Sequence, residues 1–146
     1  MGVWWGIRGP IHWELLPKNC TITADLYCEQ LDRLAAKLKG KQDKVYFLHD
    51  NARPHVARVT REKILALRWI TIPYPPYSSD LSPSDYHLFR SLYHQLKGKK
   101  YDDEDHLKAD LQDFFDDKSE GFYHRGIMEL PDRWRLVVES NGSYIP

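Results

Sequence analysis

Two carboxylates in this sequence stand where acids can do chemistry. Asp50 closes the apolar run Val45-Tyr46-Phe47-Leu48 and is followed by Asn51, Arg53, Pro54 and His55. Asp85 lies in Ser82-Pro83-Ser84-Asp85-Tyr86-His87, at the expected start of a helix. The 34 residues between them hold a helix, a strand and a stiff loop, enough to bring the chain back beside the first strand. Two carboxylates meeting in a cleft repel each other unless a cation sits between them. Hard oxygen ligands select Mg²⁺ or Mn²⁺, and paired ions about 4 Å apart drive phosphoryl transfer by activating a nucleophile and stabilising the leaving oxygen. The bland reading is as consistent with type and spacing. An Asp at a strand end commonly forms a turn or caps a helix, and Asp85 equally suits a helix N-terminus.

The neighbouring polar residues divide in the same way. Asn51 and His55 can touch a metal or phosphate, or can orient Asp50 through turn hydrogen bonds. Arg53 and Arg58 can meet phosphates or form a solvated helix face. Lys97, Lys99 and Lys100 make a small basic loop suited to phosphate contact or to solubility. The Trp4-Trp5 pair and Trp134 read as core.

The elements that must position these residues follow from periodicity. Val3–Ile7 reads as a strand, turned at Arg8-Gly9-Pro10 into a second, antiparallel strand over Ile11–Leu16. Lys18–Thr23 is a candidate third, edge strand. Thr23 caps a helix with Leu26, Leu31, Leu34, Ala35 and Leu38 apolar, stopped by Gly40. Val45–Asp50 is apolar enough for a central strand buried on both faces. A helix from Pro54 to Leu67, a short strand over Trp69–Pro73 and a Pro/Ser loop to Asp85 follow. Helices are expected over Ser84–Leu96 and Asp102–Asp117, then two shorter ones split near Leu130-Pro131. The order specifies an α/β domain: one mixed sheet of about five strands, antiparallel hairpin first and parallel crossovers after, flanked by helices. The strand ending at Gly6 is expected to pair in parallel with the strand ending at Asp50. Ligands of such sheets bind beyond the carboxyl ends of the strands.

Composition sets limits. The chain has 146 residues, the size of one domain, 42% hydrophobic and 13% aromatic. Its 21 basic and 21 acidic residues cancel, which removes the argument for nucleic-acid binding that a basic domain would offer. No apolar run reaches the roughly 20 residues that span a bilayer. Two cysteines, Cys20 and Cys28, make neither a zinc site nor a disulfide framework. They are expected to be reduced thiols in an intracellular protein. His12, His94, His106 and His124 show no metal-ligand spacing.

Four stretches carry more than spacing: Phe47–Arg58 (FLHDNARPHVAR), Pro75–Phe89 (PPYSSDLSPSDYHLF), Phe122–Trp134 (FYHRGIMELPDRW) and Asn141–Tyr144 (NGSY). Together, and in this order, they closely resemble the catalytic domain of mariner-type transposases. The resemblance runs through nearly the whole chain. It implies an RNase H-like fold of the DDE/D superfamily, a single domain over residues 1–146, and three acids that bind two divalent ions, Mg²⁺ or Mn²⁺, to cleave DNA and join its 3′ end to a target. It makes Asp50 the second acid and Asp85 the third. The first belongs on the opening strand, in a pattern like VWWD, and here the chain reads Val3-Trp4-Trp5-Gly6. Glycine offers no side-chain oxygen, so the resemblance implies impaired metal chemistry, with weak or single-ion binding. Ser79 departs from the family's usual proline. Helix-turn-helix modules that precede this domain in the family have no counterpart in these residues, so DNA binding is expected to be weak and non-specific. The resemblance also implies a nuclear setting, allows a homodimer, and implies no small-molecule cofactor and no membrane. The same domain is known fused behind a SET-domain methyltransferase, of which no segment occurs here. Besides an impaired transposase domain, a domesticated interaction domain and an active endonuclease with a substitute carboxylate remain alternatives.

Overall fold

A computed structural model of the chain describes residues 1–42 and 44–139; Asn141–Tyr144 lies outside them. The chain divides into two compact units. The first comprises Met1–Trp4 and Ile11–Ser78, the second Trp5–Pro10 and the described residues from Ser79 onward.

Strand β1 (Gly2–Gly6) pairs with β2 (Gly9–Glu14). A two-residue link makes the pair antiparallel, and Gly9 supplies the φ of +133° that the turn requires. The open end of this hairpin belongs to the first unit and its tip to the second. In the first unit, β3 (Tyr46–Phe47) pairs in parallel with β4 (Ile70–Thr71), in the register Tyr46↔Ile70 and Phe47↔Thr71. Ile70 N–H donates to the Val45 carbonyl and Ile72 N–H to that of Phe47, both at 2.8 Å.

The expected single sheet of about five strands is therefore replaced, among the described residues, by two sheets of two strands. Three local causes are visible. Lys18–Thr23 forms no strand, because Cys20 N–H bonds back to the Pro17 carbonyl in a turn that puts Asn19 at φ +64°. Within Val45–Asp50 only Tyr46 and Phe47 are strand, and they are not buried on both faces. Tyr46 is 61% exposed and Phe47 6%, the two-residue alternation of a strand with one covered face. The strand ending at Gly6 has β2 as its ladder partner, and β3 has β4.

Helix α1 (Ala24–Leu38) is capped by Thr23, whose hydroxyl oxygen accepts from Leu26 N–H at 3.1 Å. It presents Tyr27, Leu31, Leu34 and Leu38 along one face. These pack with Phe47, Ile64 and Trp69 to form the core of the first unit, with Trp4, Ile11 and Val45 at its margin. Each such side chain contributes roughly 1.5–3 kcal/mol by leaving water. The helix expected over 54–67 is two: α2 (Arg53–Val56) and α3 (Arg58–Ala66), separated by Ala57 at ψ 150°. The buried Thr60 hydroxyl spans the break by donating to the Pro54 carbonyl.

In the second unit a 3-10 turn (Ser79–Leu81) leads into a π-helix (Ser84–Phe89), continued by α4 (Arg90–Leu96). Helix α5 (Glu104–Asp117) is capped by Asp103 and buries Leu111, Phe114 and Phe115. Helix α6 (Glu120–Met128) is capped by Ser119, and α7 (Leu130–Glu139) carries Pro131 in its first turn, where the missing N–H costs nothing. The Tyr123 hydroxyl, buried in this unit, donates to the Phe115 carbonyl at 2.8 Å. Cys20 and Cys28 are both free thiols, and no helix among the described residues is long and apolar enough to cross a membrane.

Candidate functional site

The two acids fall in different units: Asp50 in the first, Asp85 in the second together with Gly6.

Asp50 follows β3 after Leu48 and His49. Its side chain is half exposed. One oxygen, Oδ1, accepts from the Ala52 N–H at 3.0 Å and from His55 Nδ1–H at 2.6 Å. The first bond is the turn geometry of an Asx residue; the second is a charge-assisted contact that fixes the plane of the carboxylate. His55 is itself held by rings. Its centroid lies 4.2 Å from that of Tyr27 and 5.2 Å from that of His49, the two imidazoles tilted by only 10°. Burial, reinforced by the neighbouring His55, pulls the pKa of His49 down to about 4, so this imidazole is neutral near pH 7. Its Nδ1 then accepts from the Tyr27 hydroxyl at 3.0 Å, and burial pushes the phenol's own pKa up. Asn51 is turned to a structural task, donating from Nδ2 to the Tyr74 carbonyl at 2.9 Å. Beside Asp50 opens a groove of about 550 Å³ whose polar lining includes His49, Asn51, His55 and Arg61, with Trp69 and Tyr74 among its apolar walls.

In the second unit Gly6 ends β1, and the residue before it reaches the segment that holds the other acid. Trp5 Nε1–H donates to Ser84 Oγ at 2.9 Å, so chain positions 6 and 85 flank one hydrogen bond. Asp85 is exposed in the first turn of the π-helix. Its N–H and that of Tyr86 both donate to the Ser82 carbonyl, at 2.9 and 3.0 Å. The residues around it are anchored. The Tyr86 hydroxyl donates to the Gly126 carbonyl, Arg133 lies 3.9 Å above the Tyr86 ring, and His87 Nε2–H donates to the Phe122 carbonyl at 2.7 Å.

The basic candidates are unequal. Arg53 is exposed at the start of α2. Arg58 pairs with Glu62 one turn along α3, at 3.0 Å, with both side chains well exposed. In the loop after α4, Lys97 and Lys100 are exposed, whereas Lys99 is paired with Asp110 at 3.2 Å. The Asp110 carboxylate also accepts from the Tyr101 hydroxyl, and that bond, then Lys99, holds its pKa below the usual carboxylate value.

Sequence reasoning missed Tyr27 and His49 as the rings that grip His55, and it assigned Trp5 only to the core. The HDN-x-x-x-H pattern could have pointed to His49. Tyr27 carries no such signal, since it reads as one more apolar residue of α1.

The donor set is incomplete for a pair of ions held by three carboxylates. Position 6 has no side-chain oxygen, and Oδ1 of Asp50 is already engaged twice. Within neither unit do three or more His, Cys, Asp or Glu side chains among the described residues form a group that could hold a metal ion.

Comparison with known proteins supplies the context. A family model described as "Transposase (partial DDE domain)" matches residues 1–47. The Mariner Mos1 transposase of Drosophila mauritiana is 41% identical over 150 residues, covering 98% of this chain and 44% of that protein. The Homo sapiens histone-lysine N-methyltransferase SETMAR is 38% identical over 148 residues, 97% of this chain and 22% of that protein. The chain thus spans less than half the length of either relative. The structure of the Mos1 transposase catalytic domain with Raltegravir and Mg superposes with a TM-score of 0.95 at 41% identity, covering 99% of this chain and 75% of that one. The Mos1 transposase paired-end complex with left transposon end gives a TM-score of 0.94 at 42% identity, covering 99% of this chain and 44% of that one.

Proposed function

The chain belongs to the mariner-type transposases, matching their catalytic domain, and from that premise we propose that it is a DNA-cleavage and strand-transfer domain impaired by the glycine at position 6. The observation that carries this reading is the sequence Val3-Trp4-Trp5-Gly6, a strand that ends in glycine where the resemblance places an acid. Asp50 and Asp85 are the two remaining metal-binding carboxylates, with His55 orienting the first. Mg²⁺ or Mn²⁺ is the cation class, because both acids present hard oxygens and Mos1 structures with each ion align with this chain.

The three-carboxylate set needed for two ions is not present, so no catalytic step is assigned. What the residues do support is narrower. His55 and the Ala52 N–H hold Asp50 by one oxygen and leave Oδ2 as its remaining ligand atom. The partner is DNA, a reading supported by the Mos1 paired-end complex with a transposon end. With no net charge, contacts made by these residues alone are weak and non-specific, resting on Arg53, Lys97 and Lys100 rather than on Lys99. A nuclear location is part of the same proposal.

Nicking of supercoiled plasmid in Mn²⁺ tests the reading, with parent, Gly6→Asp and Gly6→Asp/Asp50→Ala chains compared. Gly6→Asp is expected to nick above the parent, and Asp50→Ala to remove the gain. Equal nicking by parent and Gly6→Asp, both above the double variant, would sink the claim that Gly6 is the impairing change.

A further inference from the structure

The stretch Phe122–Trp134 carries part of the family resemblance, yet it contributes no acid to the site and no expected DNA contact. Its backbone carbonyls and side chains instead converge on the π-helix that bears Asp85. Ser84, Tyr86 and His87 are each tied from outside their own helix. Ser84 Oγ accepts from Trp5 Nε1–H. The Tyr86 hydroxyl donates to the Gly126 carbonyl, and the Tyr86 ring lies under the Arg133 guanidinium at 3.9 Å. His87 Nε2–H donates to the Phe122 carbonyl, with its ring 4.3 Å from that of Phe122 and 6.5 Å from that of Trp5.

We infer that Gly126 and Arg133 are positioning residues for Asp85, acting through His87 and Tyr86. This deepens the reading of Asp85 as a metal-binding carboxylate, and rests on it for what the positioning serves. A π-helix is a rare winding, met mostly as a single turn and frequently at functional sites, and here its side chains are held by neighbouring elements. Arg133 clamps both sides of Asp85. Its Nη1 donates to the Asp80 carbonyl at 3.1 Å, in the 3-10 turn before the π-helix, while its plane covers Tyr86 just after the acid. Its Nε is fixed by Glu129 at 3.1 Å. A lysine has no planar group with which to do both. Gly126 is required for a different reason. A Cβ there would stand 2.3 Å from His87 Cδ2 and 2.7 Å from its Cγ. The His87 ring is bonded at Nε2 and packed against Phe122, so relieving the clash either breaks those contacts or moves the π-helix that carries the ring.

The test measures local order in the metal-free chain, then proximity of the ion. Amide hydrogen exchange of residues 85–89 is compared with that of α5 in the parent, Gly126→Ala, Arg133→Gln, Arg133→Lys and Leu111→Ala chains. The first two variants are expected to speed exchange over 85–89 on the order of ten-fold while leaving α5 protected, and Arg133→Lys is expected not to restore the parent value. Leu111→Ala, a core truncation in the same unit, is expected to lower the melting temperature without that local signature. Tyr86→Phe deletes only one hydroxyl and gives the same local change at smaller size, which keeps the test open if the harsher variants do not fold. Unchanged exchange over 85–89 in Gly126→Ala and Arg133→Gln, or in Tyr86→Phe should those two not fold, overturns the inference. So does an equal rise throughout α5. Substoichiometric Mn²⁺ is then expected to broaden the Asp85 amide resonance in the parent and less in the variants. Absence of broadening in the parent counts against Asp85 as a ligand, while the exchange result still decides whether Gly126 and Arg133 hold its segment.

Discussion

Glu14 on β2 accepts four hydrogen bonds, and converting it to glutamine should cost stability that depends on pH. Arg33 of α1 approaches it as a fork, Nε to Oε2 at 2.9 Å and Nη2 to Oε1 at 2.8 Å. Gln30 adds a bond to Oε1 at 3.1 Å and His12 one to Oε2 at 2.6 Å. Arg33 above all holds the Glu14 pKa at about 2 against an ordinary 4.5, with burial opposing and His12 and Gln30 assisting. Because the folded value is lowered, the stabilisation is complete above the unfolded pKa of 4.5 and is lost as the pH falls towards 2. At about 1.36 kcal/mol per pKa unit the ceiling is ~3.4 kcal/mol. Arg33 is 48% exposed, and solvent screening reduces the expected contribution to about 1–2 kcal/mol. Urea unfolding of the parent and Glu14→Gln chains at pH 7 and pH 3 measures it. Other titrating groups act on both chains, so the difference between them isolates Glu14. A gap of about 1–2 kcal/mol at pH 7 that shrinks by more than half at pH 3 is expected. A gap of equal size at both values, or none at pH 7, would refute the assignment of this stabilisation to the ionised carboxylate.

Leu31 is fully buried in the first core, and Leu31→Ala should cost roughly 2–5 kcal/mol, read from the shift in urea midpoint at constant slope. Random duplex should bind with Kd weaker than about 1 μM at ~150 mM salt and with a shallow salt slope; fluorescence anisotropy checks this, and tighter binding contradicts it. Lys99→Ala should leave that affinity within two-fold, since Lys99 is already paired with Asp110, whereas Lys97→Ala should weaken it. Calorimetry with Mn²⁺ should detect at most one weakly bound ion per chain; tight binding of two would show that another residue supplies the missing oxygen.

Some of this protein was legible in its residues. The hairpin at the N-terminus, the Thr23-capped helix and the helical second half all follow from periodicity and turn chemistry. These are local signals, encoded within a few residues of where they act. The family was legible too, from Phe47–Arg58 and Pro75–Phe89, and so was the glycine at position 6 where the resemblance expects an acid. What the sequence did not determine was mostly relational. The six-residue stretch Val45–Asp50 does not state that only two of its residues find a ladder partner, because pairing depends on a neighbour far along the chain. Nor does it state that Ala57 breaks one helix into two.

Only tertiary structure decided how the site residues are held. It turned Asn51 to the Tyr74 carbonyl, committed Lys99 to Asp110, gathered Tyr27 and His49 around His55, and ran Arg133 back over Tyr86, 47 residues earlier in the chain. Each of these depends on a hydrogen bond, ion pair or ring contact that a side chain makes with a residue beyond its own helical turn or strand pair. The type of a residue fixes what it can donate, accept or stack upon, whereas the partner it meets is set by the packing of the whole unit around it.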